Sequence, residues 1–348
     1  MDKTLIAMSG GVDSSVAAYL VQQQGSFCIG ATMLLWKNEN TDPASDARQI
    51  ADRLGMDFYV FDQQAVFCQK VVEEFISAYE SGYTPNPCIN CNRYLKFDVL
   101  LEQALALGCS HIATGHYARI CQDPETGRFL LYKAKDAAKD QSYFLACLDQ
   151  YQLSHTRFPL GELTKPEVRQ IAEAQGFLNA GKRDSQDICF IPDGDYVAFM
   201  ESYRNMTYAP GQYLDQNGKV VGTHRGAVCY TIGQRKGLGV AMGAPVYVCG
   251  KNMADNTVTL GPDEALYKTT LTGANWNWIP FSTLDAPLRI TAKVRYRHTP
   301  QPATVYPEAD GCARVVFDEP QRAITPGQAV VLYQDDLVVG SATIAEVL

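Results

Sequence analysis

The chain has 348 residues, with 30 Lys or Arg against 38 Asp or Glu, so its formal net charge is −8. With 46% hydrophobic and 20% charged residues, the composition excludes a disordered, collagen-like or coiled-coil protein. The acidic balance also argues against a surface coated with nucleic-acid-binding charge, although it allows a local basic surface. No apolar run approaches the roughly 20 residues of a membrane-spanning helix, so we expect no membrane association.

The first half of the chain alternates short apolar runs with helical patterns. We predict strands over residues 4–8, 27–35, 57–61 and 111–114, and helices over residues 13–24, 44–54, 65–79 and 93–107. Glycines at positions 25, 55 and 108 follow three of these helices and can cap them. Strands that alternate with helices of this length indicate βαβ units and a parallel sheet.

The pattern changes in the second half. Thr164, Pro166 and Glu167 form a capping box with an early proline, which predicts a helix over residues 168–175. Beyond about residue 208 the helix signals end, and strands are predicted over residues 227–232, 245–249, 257–260, 290–296, 313–317 and 329–333. We therefore expect an α/β domain over residues 1–205, a small mainly β domain over 206–262 and a C-terminal β-barrel or sandwich over 263–348, of which the barrel is our prediction.

A polar, glycine-containing loop joins the first strand to the first helix. In the segment S-G-G-V-D-S-S (residues 9–15), two glycines let the backbone approach an anion, and the free N–H groups of the next helix point at it. The loop has neither the Gly-Lys-Ser/Thr ending of a Walker A motif nor a G-x-G-x-x-G fingerprint. A Gly-Gly turn alone can be a mere tight connection, but this polar segment is more specific.

The loop resembles the PP-loop of the ATP pyrophosphatases, which split ATP into AMP and pyrophosphate while adenylating a substrate oxygen. The resemblance implies that ATP binds here and that Asp13 helps to hold Mg²⁺. The ATP-binding residues it implies are Ala7, Met8, Ser9, Gly10, Gly11, Val12, Asp13 and Ser14.

Eleven cysteines, in a chain that starts without a basic and apolar leader, suggest reduced thiols and predict a cytoplasmic protein. Eight lie at apolar or edge positions that are typical of small buried side chains: Cys28, Cys68, Cys109, Cys121, Cys147, Cys229, Cys249 and Cys312. The other three lie in distinctive loops, Cys88 and Cys91 in T-P-N-P-C-I-N-C-N (residues 84–92) and Cys189 in residues 183–191.

Asn92 is a good N-cap, so we expect Cys91 to lie against the positive end of the helix over residues 93–107. That field, together with Arg93 and Lys96, is expected to favour the Cys91 thiolate. Three interpretations of the Cys-x-x-Cys segment stay open on this evidence: half of a zinc site, a thioredoxin-like redox pair, or sulfur transfer together with the distant Cys189.

Several longer motifs occur in one order along the chain. They are T-P-N-P-C-x-x-C-N-x-x-x-K-F (84–97), A-T-G-H-Y-A-R (113–119), K-D-Q-S-Y-F-L (139–145), the segment 184–191 and Y-T-I-G-Q-R-K-G-L-G (230–239). With the phosphate loop, they resemble the tRNA-specific 2-thiouridylases, the MnmA/TrmU family, over essentially the whole chain. The resemblance implies a PP-loop catalytic domain of the adenine nucleotide alpha hydrolase-like fold.

The resemblance implies an ATP-dependent tRNA-uridine 2-sulfurtransferase. ATP adenylates O2 of the wobble uridine in the tRNAs for Lys, Glu and Gln, and sulfur then replaces that oxygen. Cys189 would carry a persulfide supplied by a cysteine desulfurase or a sulfur-relay carrier, and Cys91 would be the nucleophile. Direct attack by the persulfide and release of sulfide both stay open, and each leaves a Cys91–Cys189 disulfide. Cys88 occupies a position that is aspartate in some members, so we assign it no essential role.

The matching motifs extend the implied site. Met33 and Gly115 would line the nucleotide pocket, and Asn86, Pro87 and Cys88 would surround the flipped target base. The implied tRNA contacts are His116, Lys139, Asp140, Gln141, Arg295, Tyr296 and Gln328. For His116 the alternative is a locally satisfied histidine at a strand end, and for residues 139–141 it is a helix N-terminus.

Two basic segments complete the prediction. Lys293, Arg295 and Arg297 alternate along a predicted strand and would form a basic stripe, with Tyr296 on the other face. The alternative is a solvated strand face. The loop over residues 233–239 would contact phosphate or close as a lid, or else form a simple hairpin turn.

Two other functions compete with this interpretation. One is a PP-loop amidating ligase of the argininosuccinate or GMP synthetase type, which needs neither a pair of separated cysteines nor an RNA-binding barrel. The other is an RNA-binding adaptor that retains a nucleotide-binding fold without catalysis.

Overall fold

The computed structural model describes residues 2–36, 44–179, 181 and 188–348. Its N-terminal part is built on a parallel sheet in the order β3-β2-β1-β4-β7. The strands are β1 (Lys3–Ala7), β2 (Phe27–Leu34), β3 (Asp57–Asp62), β4 (His111–Thr114) and β7 (Thr156–Arg157). The predicted parallel sheet is confirmed, and its four predicted strands lie within about a residue of their expected bounds.

Helices cover this sheet and line its edge. They are α1 (Val12–Gln23), α2 (Ser45–Leu54), α3 (Gln64–Phe67), α4 (Glu73–Glu80), α5 (Pro87–Asn90), α6 (Leu100–Ala106), α7 (Ser142–Leu145), α8 (Gln150–Ser154), α9 (Lys165–Ala174) and α10 (Tyr196–Arg204). Two π-helical segments, Cys68–Val72 and Cys91–Val99, join α3 to α4 and α5 to α6. The predicted helix over residues 93–107 therefore begins earlier, at Pro87.

A small sheet in the order β10-β11-β8-β9 follows the last helix. Its strands are β8 (Gly211–Leu214), β9 (Val220–His224), β10 (Tyr247–Asn252) and β11 (Thr257–Gly261). The strand predicted over residues 227–232 was wrong, because Ala227–Cys229 forms a 3₁₀ turn. All three residues of this turn are buried, so the apolar run that suggested a strand is instead a short buried turn.

The C-terminal part is a closed antiparallel barrel of β12 (Tyr267–Trp278), β13 (Leu288–Lys293), β14 (Gln301–Pro307), β15 (Ala313–Arg322), β16 (Ala329–Gln334) and β17 (Leu337–Val347). Pairing of β12 with β17 closes the barrel. The inward-facing residues of alternate strand positions form one apolar core, which includes Val305, Val315 and Leu332. The predicted barrel is confirmed.

One hairpin of the N-terminal part belongs to the barrel sheet. Strands β5 (Arg119–Gln122) and β6 (Phe129–Tyr132) pair with each other, and β6 also pairs with β17 at Tyr132 and Leu337. Val331 and Tyr333 of the barrel share a core with Leu5 of β1. The barrel is therefore packed directly onto the α/β part. Within the described residues no helix is both long and apolar enough to cross a membrane.

Candidate active site

The phosphate loop lies where the strand order of the parallel sheet reverses. From β1 the chain continues to β2 and β3 on one side, and β4 is added on the other side of β1. Residues 9–14 follow β1 and Gly115 follows β4, so both lie at the carboxyl edge of adjacent strands. In open α/β sheets, ligands bind in the crevice outside this switch point.

Serine side chains hold the loop in shape from within. Ser14 Oγ accepts from the Ser9 N–H (3.2 Å) and donates to the Gly11 carbonyl (3.0 Å). Ser15 Oγ donates to the same carbonyl, also at 3.0 Å. Gly10 has a φ of +70°, and a Cβ there would lie 2.8 Å from Cβ of Asp46, so this turn requires glycine.

The N-terminus of α1 is left open toward this crevice. The N–H groups of Gly11, Val12 and Asp13 have no acceptor among the described residues, and Gly11, the N-cap, has no side chain to supply one. Unpaired N–H groups at the positive end of a helix form an anion-binding site. The geometry therefore suits a phosphate group, as the loop sequence predicts.

Asp13 is held by two residues that the sequence did not single out for this role. Lys165 Nζ lies 2.8 Å from both Asp13 carboxylate oxygens, and the Tyr117 hydroxyl donates to Oδ1 at 2.8 Å. Lys165 is buried and is the first residue of α9. A lysine at the positive end of a helix is unfavourable in itself, and this was the available sequence signal that it has an anionic partner.

Asn179 braces the loop from the other side. Its buried side-chain Nδ2 donates to the Gly10 carbonyl (3.1 Å) and to Ser15 Oγ (2.9 Å). An isolated asparagine belongs to no sequence pattern, so this contact could not be predicted from the sequence.

Gly115 packs against the start of α1. A Cβ at this position would lie 2.6 Å from the Ser14 nitrogen and 2.7 Å from the Asp13 carbonyl carbon. The close approach of β4 to the phosphate loop thus depends on the absence of a side chain at residue 115.

The nucleotide edge continues directly into a second cluster. Met33 lies near the end of β2, where it pairs with Phe61 of β3, and it is half-buried against the core of the sheet. Leu35 and Trp36 follow it and pack in the aromatic cluster that contains Cys91. Since three residue steps span at most about 11 Å, the end of β2 connects the predicted nucleotide pocket to the thiol region.

Cys91 lies inside a helix and not at its start. Asn86 is the N-cap, with its Oδ1 accepting from the Cys88 N–H at 3.2 Å, and Pro87 occupies the first turn. The predicted N-cap, Asn92, is instead buried within the helix and donates to the Phe144 carbonyl at 3.3 Å. The prediction that a helix N-terminus activates Cys91 was therefore wrong, because Asn86 and Pro87, five and four residues before Cys91, start the helix.

Burial dominates the chemistry of Cys91. Only 9% of the residue is exposed, and burial raises the pKa of its thiol to about 11. Lys96 acts in the opposite direction and lowers the pKa, as the sequence predicted, whereas Arg93 acts on Cys147 instead. Cys91 begins a nine-residue π-helical segment, a local geometry that is frequent at functional sites.

Cys189 is exposed, but the residues that follow it are anchored. Phe190 and Ile191 are buried in the same cluster as Cys91. The Phe190 ring lies 5.6 Å from Phe67 and 5.5 Å from Phe75, in edge-to-face contact with both. This packing brings a cysteine 98 positions away in sequence beside the Cys91 helix. Residues 183–187 of the predicted Cys189 segment lie outside the described residues.

The three thiols of this region influence one another. Neighbouring atoms that partly screen the thiols from water raise the pKa of Cys88 and of Cys189, and a Cys88 thiolate raises the pKa of Cys189 further. The Cys189 thiolate in turn raises the pKa of Cys91. Lys96 lowers the pKa of all three. We refer to Cys88, Cys91, Cys189 and Lys96 as the thiol site.

All eleven cysteines are free thiols. Among the described residues, no group of three or more His, Cys, Asp or Glu side chains is arranged to hold a metal ion. The geometry therefore gives no support to the zinc alternative for the Cys-x-x-Cys segment.

Comparison with known proteins decides the family. The family described as "tRNA methyl transferase HUP domain" matches residues 2–193, "tRNA methyl transferase PRC-barrel domain" matches 198–262, and "Aminomethyltransferase beta-barrel domain" matches 268–344. The chain is 49% identical to tRNA-specific 2-thiouridylase MnmA of Heliobacterium modesticaldum, over 99% of this chain and 92% of that protein. It is 48% and 45% identical to the proteins of the same name from Moorella thermoacetica and Clostridioides difficile, over 99% of each chain.

The chain belongs to the tRNA-specific 2-thiouridylase family. A solved 4-thiouridine synthetase–RNA complex with bound ATP is similar over 58% of this chain and 50% of that chain, at 16% identity and a TM-score of 0.38. A similarity this low adds nothing to the family membership.

Among the tRNA contacts that the resemblance implies, His116 lies inside the protein. His116 is buried, its Nδ1 lies 2.7 Å from Thr114 Oγ1, and its ring packs 5.7 Å from Phe97. Burial lowers the pKa of His116 well below its usual value, so the ring is neutral. The geometry matches the alternative interpretation, a locally satisfied strand-end histidine, and tRNA contact stays a prediction.

Residues 139–141 also stabilise the local structure of the protein. Asp140 accepts from the Ala134 and Ser142 N–H groups at 3.0 and 3.2 Å, just before α7. Gln141 Oε1 accepts from the Tyr117 N–H at 3.0 Å and so holds the tyrosine that bonds Asp13. The helix N-terminus anticipated as the alternative is present, and contact with tRNA stays a prediction.

The predicted basic stripe on the barrel was wrong. Strand β13 ends at Lys293, and the chain turns before Arg297, so the three cations do not alternate along one strand. Arg295 points inward and donates to the Ala323 carbonyl at 3.0 Å. Lys293 lies over the Tyr296 ring at 5.6 Å, on the same side and not on opposite faces.

Two further predicted contacts are engaged within the protein. Gln328 Nε2 donates to the Thr84 carbonyl at 2.8 Å. In the 233–239 loop, Gln234 bonds back to Thr231 and to the Lys236 carbonyl, which closes a turn. Arg235 and Lys236 are exposed on that turn.

We refer to the continuous helical run from Pro87 to Ala106, which carries Cys88 and Cys91, as the thiol helix. A cleft of about 300 Å³ lies between the start of this helix and the barrel. Asn86, Asn90 and Arg93 line one wall, and Asn275 and Asn277 of β12 line the other. The predicted base-binding residue Asn86 thus borders the space between the two parts of the enzyme.

Proposed function

We propose that this chain is a tRNA-uridine 2-sulfurtransferase that adenylates O2 of the wobble uridine with ATP and then replaces that oxygen with sulfur. Family membership supports the reaction class. The single observation that carries the mechanism is the common cluster of Cys91 with the residues beside Cys189, next to the phosphate-loop edge of the sheet.

In the first step, O2 of uridine attacks the α-phosphorus of ATP, and pyrophosphate leaves. A carbonyl oxygen is a very poor leaving group, and esterification converts it into AMP, which is a competent one. The free N–H groups at Gly11–Asp13, at the positive end of α1, supply the positive field that the departing pyrophosphate requires. Gly115 and Met33 complete the proposed nucleotide pocket, together with residues 7–14.

In the second step, the terminal sulfur of a Cys189 persulfide attacks C2, and AMP leaves. The Cys91 thiolate then attacks Cys189 Sγ, which breaks the bond to the transferred sulfur, releases thiolated tRNA and forms a Cys91–Cys189 disulfide. Alternatively, Cys91 attacks first, and the released sulfide attacks C2. Both routes consume one Cys91 thiolate and require an external thiol reductant to open the disulfide.

Asp13 does not fit the predicted role of a Mg²⁺ ligand. Both of its oxygens contact the Lys165 ammonium, so the carboxylate is already neutralised. Mg²⁺ in the proposal is the counterion that ATP brings with it, and no step depends on a protein ligand for it.

The proposed substrate is the wobble uridine in the anticodon of the tRNAs for Lys, Glu and Gln. The proposed sulfur donor is a cysteine desulfurase or a carrier protein of a sulfur relay. We propose that the reaction takes place in the cytoplasm. Asn86, Pro87 and Cys88 would surround the flipped base at the start of the thiol helix. Lys139 and Tyr296 would contact the tRNA. Arg235 and Lys236, exposed on their turn, are suited to phosphate contact.

The test is thiolation of an anticodon stem-loop with ATP, cysteine desulfurase and cysteine, measured by mass spectrometry of the nucleosides. We expect 2-thiouridine with the wild type, and a loss of at least 100-fold in Cys91→Ser and Cys189→Ser with ATP binding retained. Cys121→Ser, an exposed thiol on the β5–β6 hairpin, is the matched control and should retain activity. Full activity in Cys189→Ser would refute the persulfide step, and ATP-dependent amidation without thiolation would favour the ligase.

A further inference from the structure

Residues 323–328, the turn between β15 and β16, lie where all three parts of the chain meet. Three of its residues, Ala323, Ile324 and Thr325, are almost completely buried. A turn between barrel strands normally lies at the surface, so this burial calls for a structural reason.

On one side the turn is hydrogen-bonded to Thr84 and Pro85, just before the thiol helix. Gln328 Nε2 donates to the Thr84 carbonyl at 2.8 Å and to the Pro85 carbonyl at 3.4 Å. The Thr84 N–H donates in return to the Pro326 carbonyl at 2.9 Å. These bonds end immediately before Asn86, the N-cap of the helix that carries Cys88 and Cys91.

The contact is also sterically tight. Gly327 has a φ of +90°, and a Cβ there would lie 2.8 Å from both the Thr84 nitrogen and Tyr83 Cβ. The barrel turn and the residues before the thiol helix therefore fit together without space for a single methyl group.

On the other side the turn is fixed to the barrel and to the central domain. Arg295 donates to Thr325 Oγ1 at 2.7 Å and to the Ile232 carbonyl at 3.3 Å. Main-chain bonds of 2.9 and 2.8 Å join Gly327 and Gln328 to Ile344 of β17. At Gly233, the first residue of the 233–239 loop, a Cβ would lie 2.9 Å from Ala323 Cβ.

We propose that the turn 323–328 is a positioning element for the thiol helix, and that Gln328 is its positioning residue. It links the barrel and the 233–239 loop to the main chain at Thr84 and Pro85. Docking of tRNA on the barrel is thereby coupled to the placement of Asn86 and Cys91. The role of Gln328 follows from its two bonds to the main chain just before the thiol helix. The coupling to tRNA docking and the tRNA-dependent parts of the test rest on the proposed function, whereas the hydrogen-exchange part does not.

The test compares Gln328→Ala, Gln328→Glu and Gly327→Ala with wild type. Amide hydrogen exchange of Thr84, measured by mass spectrometry in the free protein, should become about fivefold faster in Gln328→Ala, and faster still when a carboxylate faces the two carbonyls. The rate of thiolation at saturating stem-loop RNA should fall by about the same factor, while the Kd for tRNA stays within twofold. Gly327→Ala should reproduce the exchange effect by a steric route.

Gln321→Ala is the matched control and should change neither quantity, because among the described residues its side-chain amide donates only to the nearby Glu319 carbonyl. A raised Kd for tRNA with unchanged Thr84 exchange would overturn the proposal and make Gln328 a tRNA contact. If the wild type shows no thiolation but Thr84 still exchanges faster in Gln328→Ala than in the wild type, the positioning element is supported and the proposed function is rejected.

Discussion

At the scale of single residues, Cys91 shows how burial and a nearby cation compete. Burial raises the pKa of its thiol to about 11, and Lys96 opposes that effect. Lys96 follows Cys91 by five residues in the π-helical segment, where about one turn separates them. The neighbouring Cys88 and Cys189 also raise this pKa when they are ionised.

This balance predicts an unusual pH profile for Cys91. Because the thiolate is the reactive form, alkylation by iodoacetamide should rise tenfold per pH unit from pH 7 to 10, with no plateau at the ordinary pKa of about 8.5. Peptide mapping by mass spectrometry would follow Cys91 alone. A plateau near pH 8.5 would contradict the dominance of burial.

Lys96 should limit how far burial raises the pKa of Cys91. Lys96→Met should slow alkylation of Cys91 at pH 9 by roughly threefold, because the pKa moves further up, and Lys96→Arg should restore the rate. Arg93→Met is the matched control, since that cation lowers the pKa of Cys147 and not that of Cys91. An equal effect of both substitutions on Cys91 would reject the assignment.

At the scale of elements, the approach of β4 to α1 shapes the nucleotide crevice. Gly115→Ala would place a methyl group 2.6 Å from the Ser14 nitrogen and displace the loop that presents its N–H groups. We expect ATP affinity, measured by isothermal titration calorimetry, to fall at least tenfold. Gly250→Ala, where the nearest atom is 3.6 Å away, should bind ATP like wild type. Unchanged ATP affinity in Gly115→Ala would show that the phosphate loop, residues 9–14, does not form the ATP site.

The elements themselves were largely predictable, because apolar periodicity in the first half is strong and glycines mark the helix ends. The start of the thiol helix was missed because the Pro-Asn-Pro segment resembled a loop. Asn86 followed by Pro87 is nevertheless an N-cap signature. The error over residues 290–296 has another cause, since β13 ends in a turn that no glycine or proline announces.

Some residues of the candidate active site could be predicted from the sequence, and others could not. The phosphate loop and the cysteines were accessible from short motifs, because each motif is contiguous in sequence. Lys165, Tyr117 and Asn179 were not, because their contacts with the loop span more than 100 positions and depend on how the elements pack.

At the scale of the whole molecule, the enzyme is assembled through contacts between its parts. The β5–β6 hairpin extends the barrel sheet through β17, and Gln328 joins the barrel to Thr84. The aromatic cluster around Phe190 includes residues of the central sheet, such as Tyr213. The α/β part, the central sheet and the barrel therefore all contribute to the packing around the thiol site. For this reason no single sequence motif contains the whole thiol site.

The most direct measurement is a single turnover without reductant. Protein carrying a persulfide on Cys189, formed with desulfurase and cysteine, is mixed with ATP and anticodon stem-loop and then quenched with an alkylating reagent. We predict one Cys91–Cys189 disulfide for each 2-thiouridine formed, and neither product without ATP. Formation of 2-thiouridine while Cys91 and Cys189 are both recovered as alkylated free thiols would contradict the account.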